Sequence, residues 1–218
     1  MYKIGIIDDD DSAIRNIRRT IKIHKPEDCD VDFKIYLLSD FKDTIIPDLS
    51  KQILNDIKEN EICTLIIDEK IIANMIQIQG TDIFQNIKKE VDKFPMIMLT
   101  NVVEECMNNN NIDPDKVYKK SEFFKIEGEY SKEHVIKIFL NAKKYVESRR
   151  KIENNIDCLE GKIVEQGNNQ EIVSEIIDNQ EKLKELKPTD YSQIEKVINP
   201  ERLKEIVELI KEANDLLE

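Results

Sequence analysis

Apolar residues fall into two regimes along the chain. Up to about residue 125, short unbroken apolar runs alternate with stripes of apolar residues three and four apart; beyond Gly128 only the stripes continue. The runs at 3–7, 63–67 and 95–99 read as strands buried on both faces, the mark of a parallel sheet interior. Residues 31–38 alternate instead, with Val31, Phe33, Ile35 and Leu37 against more polar neighbours, which predicts an edge strand. Val117 and Tyr118 give a last short strand that ends on Lys119 and Lys120. Between the strands, helical stripes run through Ala13, Ile14, Ile17, Thr20 and Ile21, with Asp11 or Ser12 as the cap; through Ile45, Ile46, Leu49, Ile53, Leu54 and Ile57 within 40–59; and through Ile83, Phe84, Ile87 and Val91 within 81–91. Pro47 falls near the first turn of the second helix, where its missing donor does least harm. Five strands alternating with helices predict βαβ units, hence an α/β domain with a parallel sheet covered on both faces. Residues 69–80 read as a long loop whose Ile71, Ile72, Met75 and Ile76 pack on something.

The remainder, 129–218, reads as a helical extension of a 1–128 domain. Ile138, Ala142, Tyr145, Arg149, Ile152, Ile156, Leu159 and Ile163 step by 4, 3, 4, 3, 4, 3 and 4, a heptad seam interrupted by one polar residue, Arg149. Its first turns double as the last helix of the sheet domain, with Val135, Ile136 and Phe139 packing inward. Gly161 and the polar run 166–170 predict a bend or hairpin, and Ile172, Ile176, Leu183 and Leu186 continue the stripe to Pro188. A final helix is predicted from Pro200, capped by Asn199 and carrying Leu203, Ile206, Val207, Ile210 and Leu217. Two uses fit equally: a helical bundle closing on itself, or a coiled-coil arm for homodimerisation or a partner protein.

Charge narrows the function. Charged residues make up 36% of the 218 residues and the formal net charge is -12, which opposes binding to nucleic acid or anionic membranes by general electrostatics. Residues 131–218 alone hold 15 Lys and Arg against 19 Asp and Glu, so the extension is not the basic module a DNA-binding output needs. Four scattered cysteines form no CxxC pair, and no apolar run approaches a membrane span. The expectation is a cytoplasmic protein with reduced thiols. His24 and His134 have no ligand partner at helical spacing and read as surface residues.

The chemistry gathers at strand ends. Asp8 and Asp9 follow the first strand, Asp68 the third, Thr100 the fourth, and Lys119 and Lys120 the fifth. In a parallel sheet these ends share one edge, where ligands bind in open α/β folds. Converging carboxylates repel unless a cation joins them, and an all-oxygen set suits Mg²⁺. Asp68 is then placed as a nucleophile, with Thr100 and a lysine to bind phosphoryl oxygens. Taken alone, Asp8 to Asp11 are explained equally well as a solvated helix cap, whereas a residue such as Thr100 is more often a strand terminus and a pair such as Lys119 and Lys120 more often surface charge.

In this order, Ile-Ile-Asp-Asp, Leu-Ile-Ile-Asp, Pro-Met-Ile-Met-Leu-Thr and Val-Tyr-Lys-Lys-Ser resemble the receiver domain of two-component response regulators over residues 1–125. The resemblance implies a flavodoxin-like, doubly wound five-stranded parallel sheet, Mg²⁺ held by Asp8, Asp9 and Asp68, and phosphotransfer to Asp68 from a histidine kinase or phosphotransfer protein. Thr100 and Lys120 take the hydroxyl and lysine positions, with Lys119 as the other candidate. Four features depart from the family. Ser121 stands where proline usually follows the lysine, Asn101 stands where a small residue usually follows the hydroxyl, Val117 occupies the aromatic switch position with Tyr118 one step away, and residues 68–80 are longer than usual. The leading expectation is a phosphoacceptor, not a conventional enzyme, that signals through protein contacts of its helical extension. The alternative is a pseudo-receiver kept as an interaction module. A Mg²⁺-dependent phosphohydrolase ranks lower, because the second acid expected two residues after Asp68 is Lys70.

Overall fold

The computed structural model describes residues 1–38, 45–73, 75–107, 112–166 and 170–188. Its centre is a five-stranded parallel sheet of β1 (Tyr2–Ile7), β2 (Val31–Ile35), β3 (Thr64–Ile67), β6 (Met96–Thr100) and β7 (Val117–Lys119), in the order β2-β1-β3-β6-β7. Leaving out the hairpin that follows β3, this is the 2-1-3-4-5 order of flavodoxin-like folds, as expected. The alternation of side chains explains why the strands read as unbroken apolar runs. Ile4, Ile6, Ile66, Ile97, Leu99 and Tyr118 point to one face, beneath α1 (Asp11–His24) and the start of α6 (Glu129–Gln166). Ile7, Leu65, Ile67, Met96, Met98 and Val117 point to the other, beneath α2 (Ile45–Lys58) and α3 (Gly80–Glu90). Both faces are buried, so neither carries a polar alternation. Strand β2 lies at the sheet edge and is the one that alternates.

Several elements differ from the sequence expectation. The stretch after Asp68 is an antiparallel hairpin, β4 (Lys70–Ala73) with β5 (Ile76–Gln79), and not an irregular loop. Ile71 and Ile78 turn into the core while Ile72, Met75 and Ile76 stay exposed. Its base is closed by Gly80, whose amide donates to the Glu69 carbonyl at 2.9 Å. A side chain at Gly80 would overlap the Asp68 carbonyl, so the close approach requires glycine. The cap of α1 is Asp10, which accepts from the Ser12 amide at 2.8 Å, one residue earlier than expected.

Helix α6 continues through Gly161, where nothing lies close enough for a side chain to contact, so the predicted weakening there produces no break. Val135 and Phe139 are buried on the sheet, but Ile136 is 38% exposed, because it lies one position off the stripe. The seam position Arg149 is no gap in the packing. Its guanidinium donates to the carbonyls of Ile57 and, at 2.7 Å, of Lys58, so it caps the end of α2, and it also pairs with Glu153 at 3.1 Å. Helix α7 (Gln170–Lys184) packs back on α6, where the Tyr145 hydroxyl donates to the Leu186 carbonyl at 2.7 Å and Lys187 pairs with Glu153 at 3.0 Å. The seam residues Ile156 and Leu159 are therefore covered within the chain. All described residues fall in one compact unit, Met1–Pro188. The start of the predicted second helix at 40–44, much of the Asn-rich 102–111 stretch, the middle of the 166–170 run and the whole helix expected from Pro200 lie outside the described residues. Among the described residues, no helix is long and apolar enough to cross a membrane.

Candidate phosphoacceptor site

The parallel strands deliver Asp8, Asp68, Thr100 and Lys120 to one sheet edge. Asp8 follows β1 and is almost fully buried; its Oδ1 accepts from the Asp10 amide at 2.9 Å. Asp9 is exposed beside it. The four aspartates thus divide their work: Asp8 and Asp9 face the site, Asp10 caps α1, and Asp11 begins that helix. Asp68 follows β3, with Oδ1 accepting from the Glu69 amide at 2.9 Å and Oδ2 from Lys120 at 2.9 Å, so both its oxygens are held. Carboxylate oxygens of Asp8, Asp9 and Asp68 lie within 4.8 Å of one another.

Of the two lysines, Lys120 enters the site. It opens the short helix α5 (Lys120–Phe123), is buried, and places Nζ 2.6 Å from Asp8 Oδ2 and 2.9 Å from Asp68 Oδ2. Lys119 is exposed, and its backbone amide donates to the Tyr130 hydroxyl at 2.9 Å. Thr100 is buried at the end of β6, and its Oγ1 accepts from the Val102 amide at 3.1 Å, leaving its own proton to donate elsewhere.

Electrostatics follow from this crowding. Burial raises the Asp68 carboxyl above the usual carboxylate range; the bond and charge of Lys120 pull it back, and the charge of Asp8 pushes it up again. Burial works against the Lys120 ammonium, but its bonds to Asp8 and Asp68 outweigh that and hold it above the ordinary lysine value. Three carboxylates and one ammonium leave a formal charge of about −2 at this edge, in an oxygen-only donor set. That set fits a hard divalent cation such as Mg²⁺, with Asp8, Asp9 and Asp68 as the protein ligands.

No family model and no curated protein matches the sequence. Among solved structures the chain is similar to two of the RcsB response regulator of Salmonella typhimurium, described for its conformational dynamism in DNA interaction. One is 15% identical, covering 87% of this chain and 94% of that one with a TM-score of 0.41; the other is 13% identical, covering 90% and 98% with a TM-score of 0.37. The strand order and the site geometry carry the argument independently of these matches.

Five residues near the site have partners that the sequence did not show. Glu69 is buried beside Asp68, and its carboxylate takes bonds from the Thr81 amide at 3.0 Å and the Thr81 hydroxyl at 3.3 Å, fixing the hairpin base to the start of α3; burial raises its carboxyl. Tyr130 stacks on His134 at 3.8 Å, and His134 meets the edge of Tyr118 at 4.3 Å, so this half-buried histidine is part of an aromatic packing cluster. Its Nδ1 also lies 2.7 Å from the Tyr130 carbonyl. His24 is likewise engaged, with Nε2 2.7 Å from the Ile126 carbonyl. Asn101 accepts at Oδ1 from the Ser121 amide at 2.9 Å. Glu69 and Tyr130 were marked by no motif, and His24, His134 and Asn101 stood out in the sequence without the partners they meet here. A cleft of about 380 Å³ near Phe94, Pro95, Tyr145 and Leu186, where α6 meets the segment after α7, contains none of the site residues.

Proposed function

We propose that the protein is a phosphoacceptor receiver that takes a phosphoryl group on Asp68 and signals through its helical hairpin. The observation that carries this reading is the convergence of Asp8, Asp9 and Asp68 within 4.8 Å with Lys120 bridging two of them. A bound Mg²⁺, held by the three acids, would neutralise the edge and draw charge from an incoming phosphoryl group. An oxygen of Asp68 attacks phosphorus while the bond from phosphorus to the donor breaks, the leaving group keeping that electron pair. The Thr100 hydroxyl donates to one phosphoryl oxygen and Lys120 pairs with another, exchanging part of its hold on Asp68 for the new charge. The donor is a phosphohistidine of a kinase or phosphotransfer protein, and in the test tube acetyl phosphate.

The output works through protein contacts. Acidic residues outnumber basic ones across 131–218, and the seam residues Ile156 and Leu159 are covered within the chain, where α7 packs on α6, which favours a folded hairpin that a partner reads. Intact mass after incubation with acetyl phosphate and Mg²⁺ tests the reading. A gain of one phosphoryl group is expected in the wild type, none in Asp68→Asn, and none after chelation of Mg²⁺; light scattering of the same samples reports any change in assembly. No gain under any donor would leave the pseudo-receiver as the better account.

A further inference from the structure

Ser121 in place of proline, and Asn101 in place of a small residue, look separately like signs of a decaying site. Their side chain and backbone meet. Ser121 is the second residue of α5, so its amide is one of the orphan donors at a helix start. The residue at the cap position, Lys119, makes no side-chain capping bond. Asn101, on the loop after β6, supplies the missing acceptor from outside the helix, with Oδ1 2.9 Å from the Ser121 amide. A proline at 121 would have no proton to give.

We propose that Asn101 and Ser121 together form a latch that positions the site lysine. Lys120 lies between two anchored peptides: the Lys119 amide is held by the Tyr130 hydroxyl at 2.9 Å, and the Ser121 amide by Asn101 at 2.9 Å. Its ammonium must reach Asp8 and Asp68 at once, at 2.6 and 2.9 Å. Holding the backbone on both sides limits the conformations open to the long side chain, so the ammonium is delivered without an ordering cost at the moment of reaction. The latch also joins the Thr100 loop to the Lys120 loop, keeping the two phosphoryl-binding groups in register. Asn101 and Ser121 are positioning residues; Lys120 makes the contact with the acceptor.

This inference rests on the phosphoacceptor reading for its kinetic arm only. Ser121→Ala keeps the amide proton and is expected to phosphorylate from acetyl phosphate at the wild-type rate. Asn101→Ala and Ser121→Pro each remove one half of the bond and are expected to lower the saturating rate about fivefold, the equivalent of about 1 kcal/mol, with the half-saturating donor concentration unchanged. The double variant should be no slower than either single one. Faster transfer in Asn101→Ala would make Asn101 an obstruction, and multiplied effects in the double variant would make the residues independent; either result overturns the latch. Hydrogen exchange of the Ser121 amide, followed by NMR, gives an answer even where the wild type takes no phosphoryl group. Protection in the wild type that is lost in Asn101→Ala supports the latch, and protection unchanged in that variant overturns it. Asn101→Ala leaves the backbone at 121 untouched, so it decides the question should Ser121→Pro fail to fold.

Discussion

Replacing the acceptor by its amide, Asp68→Asn, is expected to stabilise the metal-free protein. At an effective dielectric constant of about 20, the repulsion from buried Asp8, at a separation up to 4.8 Å, is worth roughly 3.5 kcal/mol, while that from exposed Asp9 is screened by solvent. The attraction to Lys120 at 2.9 Å is worth roughly 6 kcal/mol on the same scale. The attraction exceeds that repulsion, but the burial of the charge is the largest influence on Asp68 and, together with Asp8, outweighs Lys120. Asparagine keeps an oxygen for the Glu69 amide or the Lys120 ammonium while removing the charge. A gain of about 1–2 kcal/mol corresponds to a rise of roughly 2–8 °C in Tm for a chain of this size. The sign also fixes the pH dependence. Because folding raises the Asp68 pKa, the stability tied to its protonated form is complete below the unfolded value and is lost as pH rises through the folded one. The advantage of the variant therefore grows from acid toward neutral pH, and Mg²⁺ should narrow it by binding the wild type more tightly. Thermal unfolding of both proteins between pH 4 and pH 8, with EDTA or with Mg²⁺, reads this out. A variant less stable than the wild type at pH 7.5 in EDTA, or an advantage that does not change with pH, would refute the reasoning.

Lys120→Met leaves Asp8 and Asp68 facing each other without a counter-charge and should cost about 3–5 kcal/mol in urea unfolding at neutral pH, with a smaller loss in Mg²⁺; equal losses with and without the ion would count against a shared metal site. Arg149→Met removes the guanidinium bonds to the carbonyls of Ile57 and Lys58 at the end of α2, so a loss of about 2–4 kcal/mol is expected by the same assay, and an unchanged midpoint would show the cap to be idle. Gly80→Ala should destabilise by about 3 kcal/mol or more, because its methyl group meets the backbone of Asp68, which has no free space to move into; wild-type stability would contradict that packing.

The fold was legible because its strongest signals are local. Unbroken apolar runs mark the strands buried on both faces, alternation marks the edge strand β2, and the stripes through Ile14, Ile17 and Ile21 or Ile83, Phe84 and Ile87 mark the covering helices. The hairpin after Asp68 was missed for a physical reason: half of its apolar residues, Ile72, Met75 and Ile76, face solvent, so the pattern resembles a packed loop. Arg149 was misread because heptad position alone cannot distinguish a polar break from a buried cation that caps a helix 91 and 92 residues away in sequence.

Asn101 and Ser121 show the same limit at the site itself. Judged one position at a time, each counts against a working receiver, since Asn101 is larger than the residue expected there and Ser121 lacks the proline ring that fixes the backbone. Judged as a pair, the second change creates the donor that the first one binds, and the loop is held by a hydrogen bond in place of a ring. A departure from a family pattern is therefore weak evidence of lost chemistry until its spatial neighbours are known. Here the two departures share one hydrogen bond, so they count as a single change to be tested together and not as two separate losses.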